Sequence, residues 1–486
     1  MERQEARRKV LLGAGAGAAH PDLPARRRRD LPHPDRCPSR RRQPDHRLGL
    51  AAAGGGAAST QLSAVTTPGR RPPALAGEIE LTRLANGLEV CLVRSPQAPI
   101  VASAIFYRAG CRDEEPGAGG MAHFLEHLMF KGSARYGPGE IDRLTQSLGG
   151  SNNAFTSHDV TAYWFVFAAD RWPEALAIEA DRMRGLRLDP AEIDAERRVI
   201  VEEIAMYQDE PWDALELAVQ AAHYGDFAYG RPILGTAAEL AGQDRERIAG
   251  FHRRYCVPGN ATLVIAGDLA ADTLARVEEA FGDLRGEAPL RRPAGSPPLL
   301  GSLRRLVRRH GDVARLLLAL PAPAPDDPAH GGLRLLATVL AEGRGSRLER
   351  RLVDEGELCL SVSASLSDHQ LAAHFAIAAE LVPGADPARV EAIVLEELRD
   401  LATRPLAEEE LGRARQVFLA DWAWGQERIH QQAVAAGLAL AMFDLGQPER
   451  LLDAALAAGP QTLCALAATH LEPERGSVLG LSLPEA

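Results

Sequence analysis

From Glu78 onward, "EIELTRLANGLEVCLVRS" alternates apolar and polar positions around an Asn-Gly pair, the period and turn chemistry of a β-hairpin, and "IVASAIFYRAG" continues as a third strand. The period then changes. "GEIDRLTQSLGG" has helical spacing and ends in glycines, "NNAFTSHDVTAYWFVFAA" reads as two strands, and "RWPEALAIEADRMRGL" returns to helix. Residues 190–208, "PAEIDAERRVIVEEIAMYQ", predict one long helix with Pro in its first turn, and "NATLVIAGDL" at 260–269 a buried strand. Proline and glycine punctuate residues 286–301 as a linker does. Beyond it the plan returns: "VARLLLALPAP" as a strand, "HGGLRLLATVLAE" and "SRLERRLVDEG" as helices, "LCLSVSASLS" and "AAHFAIAAEL" as strands, and two helices from Pro387. Strands and helices mix without regular βαβ alternation, so the fold class is α+β. Two homologous halves at 78–285 and 302–486 form an internal repeat with little sequence identity.

Residues 1–77 differ in kind. "RRRRD", "PDRCPSRRRQPDHR" and a Gly/Ala-rich run from Leu48 to Ser59 carry little hydrophobic periodicity, so this leader is expected to be disordered. "RRKVLLGAGAGAA" at 7–19 pairs arginines with a short apolar stretch in the manner of an export signal. Its G-x-G-x-x-A pattern has no preceding strand and carries no dinucleotide reading. Export would place the protein in a bacterial periplasm or cell envelope, and a low-complexity leader on a cytoplasmic protein is the alternative.

Charge and cysteine usage narrow the classes. The 486-residue chain is 46% hydrophobic and has a net charge of -11. Residues 1–76 hold 15 Lys and Arg against 6 Asp and Glu, a balance of +9, which leaves -20 for the rest. An acidic body is a poor partner for nucleic acid. The six cysteines show no C-x-x-C spacing and are too few for a disulfide framework in a chain this long, so they imply neither a cysteine-based zinc site nor a redox compartment. No run approaches the ~20 apolar residues of a membrane span.

The chemistry concentrates in "MAHFLEHLMFKG", residues 121–132. On a helix, His123, Glu126 and His127 fall on one face while Phe124, Leu125, Leu128 and Met129 cover the others. Buried imidazoles and a buried carboxylate require partners. A hydrolytic zinc site takes three protein ligands, and the two histidines supply two. On the long helix, Glu196 and Glu203 share the face of Ile193, Ile200, Ile204 and Tyr207. Two helical turns, about 10.5 Å, separate them, so one ligates and the other orients a histidine. Glu126 is placed to accept a proton from water activated by the metal and to pass it to a leaving amine.

H-x-x-E-H in "HFLEH", with a glutamate of "ERRVIVEEI" following 76 positions after His127, resembles the pitrilysin or insulinase family of inverted-motif zinc peptidases, which includes the mitochondrial processing peptidase. The likeness spans roughly residues 78 to 480. It implies that Glu203 rather than Glu202 is the third ligand of one Zn2+, with Glu196 behind it. "GGSNNAFTSHDVTAYW" resembles the family's edge strand, so Asn153, Ala154 and Phe155 would bind substrate through the main chain, as an added strand. "GRGSRLERRLVDEGELCLSVSA" resembles the signature of the non-catalytic second half. The resemblance implies a zinc-dependent endopeptidase that cleaves extended peptides or unfolded segments in a chamber between two such chains. A non-catalytic structural or assembly subunit is the alternative.

One departure bears on partners. Family members that act alone carry an Arg and, seven residues on, a Tyr in the second half, and alignment through "SRL" and "SVSA" puts Val353 and Leu360 there. Neither donates a hydrogen bond. The expectation is a heterodimer with a homologous subunit bearing the Arg and Tyr, the alternative a homodimer anchoring peptide through other groups such as Arg347. His158 and His252 receive no role.

Overall fold

The computed structural model describes residues 73–291, 295–298 and 301–485. The leader, with its export-signal reading, lies outside the described residues except for 73–77. There Ala74 is buried, and the Gln426 amide donates to the carbonyls of Pro73 and Ala74 at 3.1 and 3.0 Å.

The first sheet contains β1 (Glu78–Arg83), β2 (Glu89–Arg94), β3 (Ile100–Tyr107), β4 (Ser151–Thr156), β5 (Thr161–Ala168) and β6 (Ala261–Gly267), in the order β1-β2-β6-β3-β5-β4. The hairpin turns at Asn86-Gly87: Gly87 has φ +91°, and Asn86 Oδ1 accepts the Leu88 amide at 3.1 Å. The second sheet contains β7 (Arg304–Arg309), β8 (Arg315–Ala322), β9 (Cys359–Leu366), β10 (Ala373–Leu381) and β11 (Val478–Leu483), in the order β7-β11-β8-β10-β9. Removing β1 from the first sheet leaves the same arrangement. The β2–β6 and β7–β11 pairs are parallel and every other pair is antiparallel. The internal repeat is thus a repeat of strand order, and β4 and β9 are the corresponding edges.

Two departures from the sequence reading stand out in the second half. The segment expected as an ordinary helix at "SRLERRLVDEG" winds as a π-helix over Glu349–Asp354. Five helices rather than two occupy the chain from Pro387 to His470 before β11 completes the sheet. Among the described residues no single helix is long and apolar enough to cross a membrane.

Each half lends a helix to the other. Helix Ile429–Met442 covers one face of the first sheet, with Ala433, Ala436 and Leu440 against Ala102, Phe106 and Val264. Gly437 allows this close approach, since a Cβ there would lie 2.0 Å from the Phe106 ring. In return, helix Pro211–Tyr224 sets Leu215 and Val219 against Leu317, Ala319 and Val478 of the second sheet. Small residues on both sides let helix and sheet backbones approach, and the apolar area removed from water joins the halves.

The halves also meet in a histidine cluster. The His158 ring lies 5.0 Å from that of His369, His369 lies 6.0 Å from His374, and His374 lies 5.7 Å from His223. The Tyr224 hydroxyl is 3.0 Å from His374 Nδ1, while Nδ1 of His158, His223 and His369 has no partner. Beside them, buried Asp159 accepts from Arg112, Tyr229 and the backbone of Gln370 at 2.7, 2.8 and 3.0 Å. Burial lowers all four imidazoles, His223 to about 4 and His374 to about 3. The folded chain therefore keeps His223 and His374 neutral while the unfolded chain protonates them below about pH 6.5, so stability is lost as pH falls below that value. The expected cost is about 1.4 kcal/mol per pH unit for each of these two histidines between about pH 6.5 and 5. Urea unfolding at pH 7.5, 6.0 and 5.0 tests this: replacing His223 by Leu should flatten the pH slope by about one proton, and an unchanged slope would refute it.

Candidate metal centre

The motif helix spans Met121–Leu128 and is buried on nearly every side. Its start is fixed by carboxylates outside the helix. The Glu114 carboxylate accepts the amides of Gly120 and Ala122 at 3.1 and 2.9 Å, and Glu239 accepts that of Gly119 at 3.2 Å. Gly120 has φ +81°, and a Cβ there would meet the Leu234 carbonyl at 2.3 Å. The long helix runs Pro190–Asp209, capped by Asp189, whose side chain accepts the Ala191 amide at 2.9 Å. Packed against the motif helix, it presents Glu196 and Glu203 to different atoms.

His123, His127 and Glu203 come together, each offering a ligand atom within 4.8 Å of the others. Nε2 of His123 and of His127 lie 3.8 and 3.7 Å from the same oxygen, Glu203 Oε2. Two imidazole nitrogens and one carboxylate oxygen are a donor set that zinc accepts, and an ion about 2.0–2.1 Å from each nitrogen bridges such separations. Burial lowers His123 to about 3, so its ring is neutral and its lone pair available. The residues present therefore fit the ion. Glu196 does not join the trio. Its Oε2 lies 3.0 Å from His127 Nδ1, which turns the Nε2 edge of that ring toward Glu203. Lys131 Nζ sits 2.6 Å from Glu196 Oε1. Burial alone would lower His127, but the Glu196 bond and the charges of Glu126 and Glu203 leave it raised.

Glu126 is buried beside this trio. Desolvation pushes it up to about 7, against the opposing effect of a 2.5 Å bond from the Thr156 hydroxyl. Thr156 ends β4, the outer strand of the first sheet, which pairs only with β5. Ala154 shares the Thr156 face, toward the motif helix, and Asn153 is half-buried with Oδ1 accepting the Ala154 amide at 2.8 Å. The Phe155 ring lies on the opposite face, 6.5 Å from Phe106 and 6.0 Å from Trp164. Only its main chain borders the open edge.

Sequence reasoning missed Thr156, Lys131 and Glu114. The first two had a signal: Thr156 follows Ala154 at strand period, and Lys131 follows His127 at helical spacing. Glu114 had none. In the second half, Val353 is half-buried against the core and Leu360 is 55% exposed on β9. Arg347 is committed elsewhere. Its guanidinium pairs with Glu410, Asp400 and Glu397 at 2.7, 2.9 and 3.4 Å, which is the structural role its place ahead of Val353 and Leu360 in "SRL" suggests, and this disfavours the alternative in which it anchors peptide. His252 is likewise a core residue, its Nε2 2.9 Å from the Arg182 carbonyl.

Comparison with known proteins gives this geometry a lineage. Residues 89–237 match the family model "Insulinase (Peptidase family M16)", and residues 244–418 match "Peptidase M16 inactive domain". An uncharacterized zinc protease of Streptomyces coelicolor is 30% identical over 350 residues, 70% of this chain and 75% of that protein. Among solved structures, a protease from Helicobacter pylori superposes with TM-score 0.78 at 23% identity, over 84% of this chain and all of that one. The periplasmic protease PqqL from Escherichia coli superposes with TM-score 0.71 at 18% identity, over 85% of this chain but 48% of that one. The chain belongs to the insulinase family, peptidase family M16.

Proposed function

We propose that this protein is a zinc-dependent endopeptidase acting on extended peptides or unfolded segments. The observation that carries the reading is the convergence of His123 Nε2 and His127 Nε2 on one oxygen of Glu203, with Glu126 buried alongside. His123, His127 and Glu203 would hold the ion. When bound, Zn2+ supplies Lewis acidity that makes water a nucleophile near neutral pH. Glu126 would accept a proton from the attacking water and return it to the departing amine, and the Thr156 hydroxyl, bonded to Glu126 Oε2, would leave Oε1 for that transfer. Substrate adds to the open edge of β4 through the main chain of Asn153, Ala154 and Phe155.

The half-site opposite is missing its donors. Val353 and Leu360 cannot hold a scissile carbonyl, and Arg347 is spent on three carboxylates. A second chain with the same double-sheet plan, bearing Arg and Tyr at the equivalent positions, would complete the chamber. A homodimer would bring the same two apolar residues twice. The fold likeness to a protein about twice this length supports pairing of two such units. The lost donors also favour one other reading, a non-catalytic assembly subunit.

Three measurements test these roles. Glu126→Gln is expected to retain zinc and lower kcat/KM by at least 10²–10⁴-fold, since the amide keeps the shape and loses the proton acceptor. Undiminished hydrolysis by the metal-loaded variant would remove Glu126 as the base. Glu203→Gln should weaken zinc binding more than Glu196→Gln, for which about 10–100-fold is expected of a residue acting through a ligand. The reverse order in chelator competition would exchange the two assignments. Peptide-library turnover by the purified single chain decides the partner question: activity that appears only after adding an Arg/Tyr-bearing homologue supports the heterodimer, and full turnover alone refutes it.

A further inference from the structure

Among the described residues there is one lysine. The chain has 55 Lys and Arg in all, and only Lys9 and Lys131 are lysines. Lys131 follows the motif helix, three residues past its last turn, and its ammonium lies 2.6 Å from Glu196 Oε1. The other oxygen of that carboxylate, Oε2, faces His127 Nδ1 at 3.0 Å. Glu196 is buried, with its side chain 7% exposed. Its two oxygens thus have two different partners: a cation on one side and the imidazole on the other. A compact ammonium is suited to this, because it makes a point contact with one oxygen and leaves the second to the ring.

From this geometry we infer that Lys131 is a positioning residue for the metal centre, acting on His127 only through Glu196. The inference rests on the zinc reading given above. Removing Lys131 would leave a buried carboxylate oxygen without its cation, a costly state that the side chain relieves by rotating toward solvent. Rotation carries Oε2 away from Nδ1. The imidazole then loses the bond that fixes its tautomer and ring plane, and Nε2 is no longer held toward Glu203. Glu203 and His123 do not touch Lys131, so the defect enters the site through His127 alone.

The test is a double-mutant cycle on zinc affinity, read by chelator competition, together with the visible spectrum of the Co2+-substituted protein as a report on ligand geometry. Lys131→Met is expected to weaken zinc binding roughly tenfold, the lower end of the range for groups that orient metal-binding histidines, and to alter the Co2+ spectrum. Lys131→Arg keeps the charge but brings a fork in place of a point contact, so its zinc affinity should fall between those of Lys131→Met and the parent. In a Glu196→Gln background, Lys131→Met should have no further effect, because its only route to the metal is already broken. Additive losses, or an unchanged affinity and spectrum in Lys131→Met, would overturn the inference. Failure of the parent protein to bind Zn2+ or Co2+ at all would instead overturn the zinc reading on which it stands.

Discussion

A carboxylate placed in a protein core must find positive charge or donors, or it will not stay ionised, and the motif helix places one between two imidazoles where apolar packing surrounds it. Most of the neighbouring structure can be read as the answer to that demand. Thr156 supplies a donor to Glu126, Glu196 supplies an acceptor to His127, and Lys131 supplies the cation that lets Glu196 be there at all. Glu203 completes the trio from the next helical exposure of the same long helix. Polar groups buried this way are expensive individually and tolerable only as a connected set.

Connection also governs the scaffold. The motif helix is eight residues long, too short to be stable by propensity. Carboxylates from Glu114 and Glu239 hold its N-terminal amides, and the sheet beneath it is closed on the far side by a helix from the other half of the chain. The second half therefore supports the site of His123, His127 and Glu203 without adding a residue to that trio. Its contribution is packing. Arg347, tied to acids on two helices, belongs to that packing.

How much of this could be read from residues alone varied with how local the cause was. The Asn86-Gly87 turn, the strand alternation and the two-turn spacing of Glu196 and Glu203 are local, and each was legible. β7, "RRLVRR", is dominated by arginine and carries no clear alternating signal, and β11, "VLGLSL", alternates leucine with small residues over only five positions, too few to mark a strand without its neighbours in the second sheet. The π-helical winding at Glu349–Asp354 leaves the hydrophobic pattern of an ordinary helix intact, so the period could not reveal it. The histidine cluster draws His158 and His223 from one half and His369 and His374 from the other, and nothing in the spacing of those four foretells their meeting. Phe155 illustrates the reverse: its neighbours on β4 mark an open edge, but strand alternation sends its ring to the opposite face.

The reciprocal loan of helices fixes the order in which the protein can be completed during synthesis. β6, the last strand of the first sheet, ends at Gly267, but the helix that covers this sheet does not begin until Ile429. Until the ribosome has delivered that helix, Ala102, Phe106 and Val264 face water, and the half that carries His123, His127 and Glu203 stands unfinished. Folding of the first sheet from the N-terminus is thereby delayed until the chain past Met442 has been made. The H-x-x-E-H helix is made early, and the sheet beneath it is covered late, by a helix from the second half.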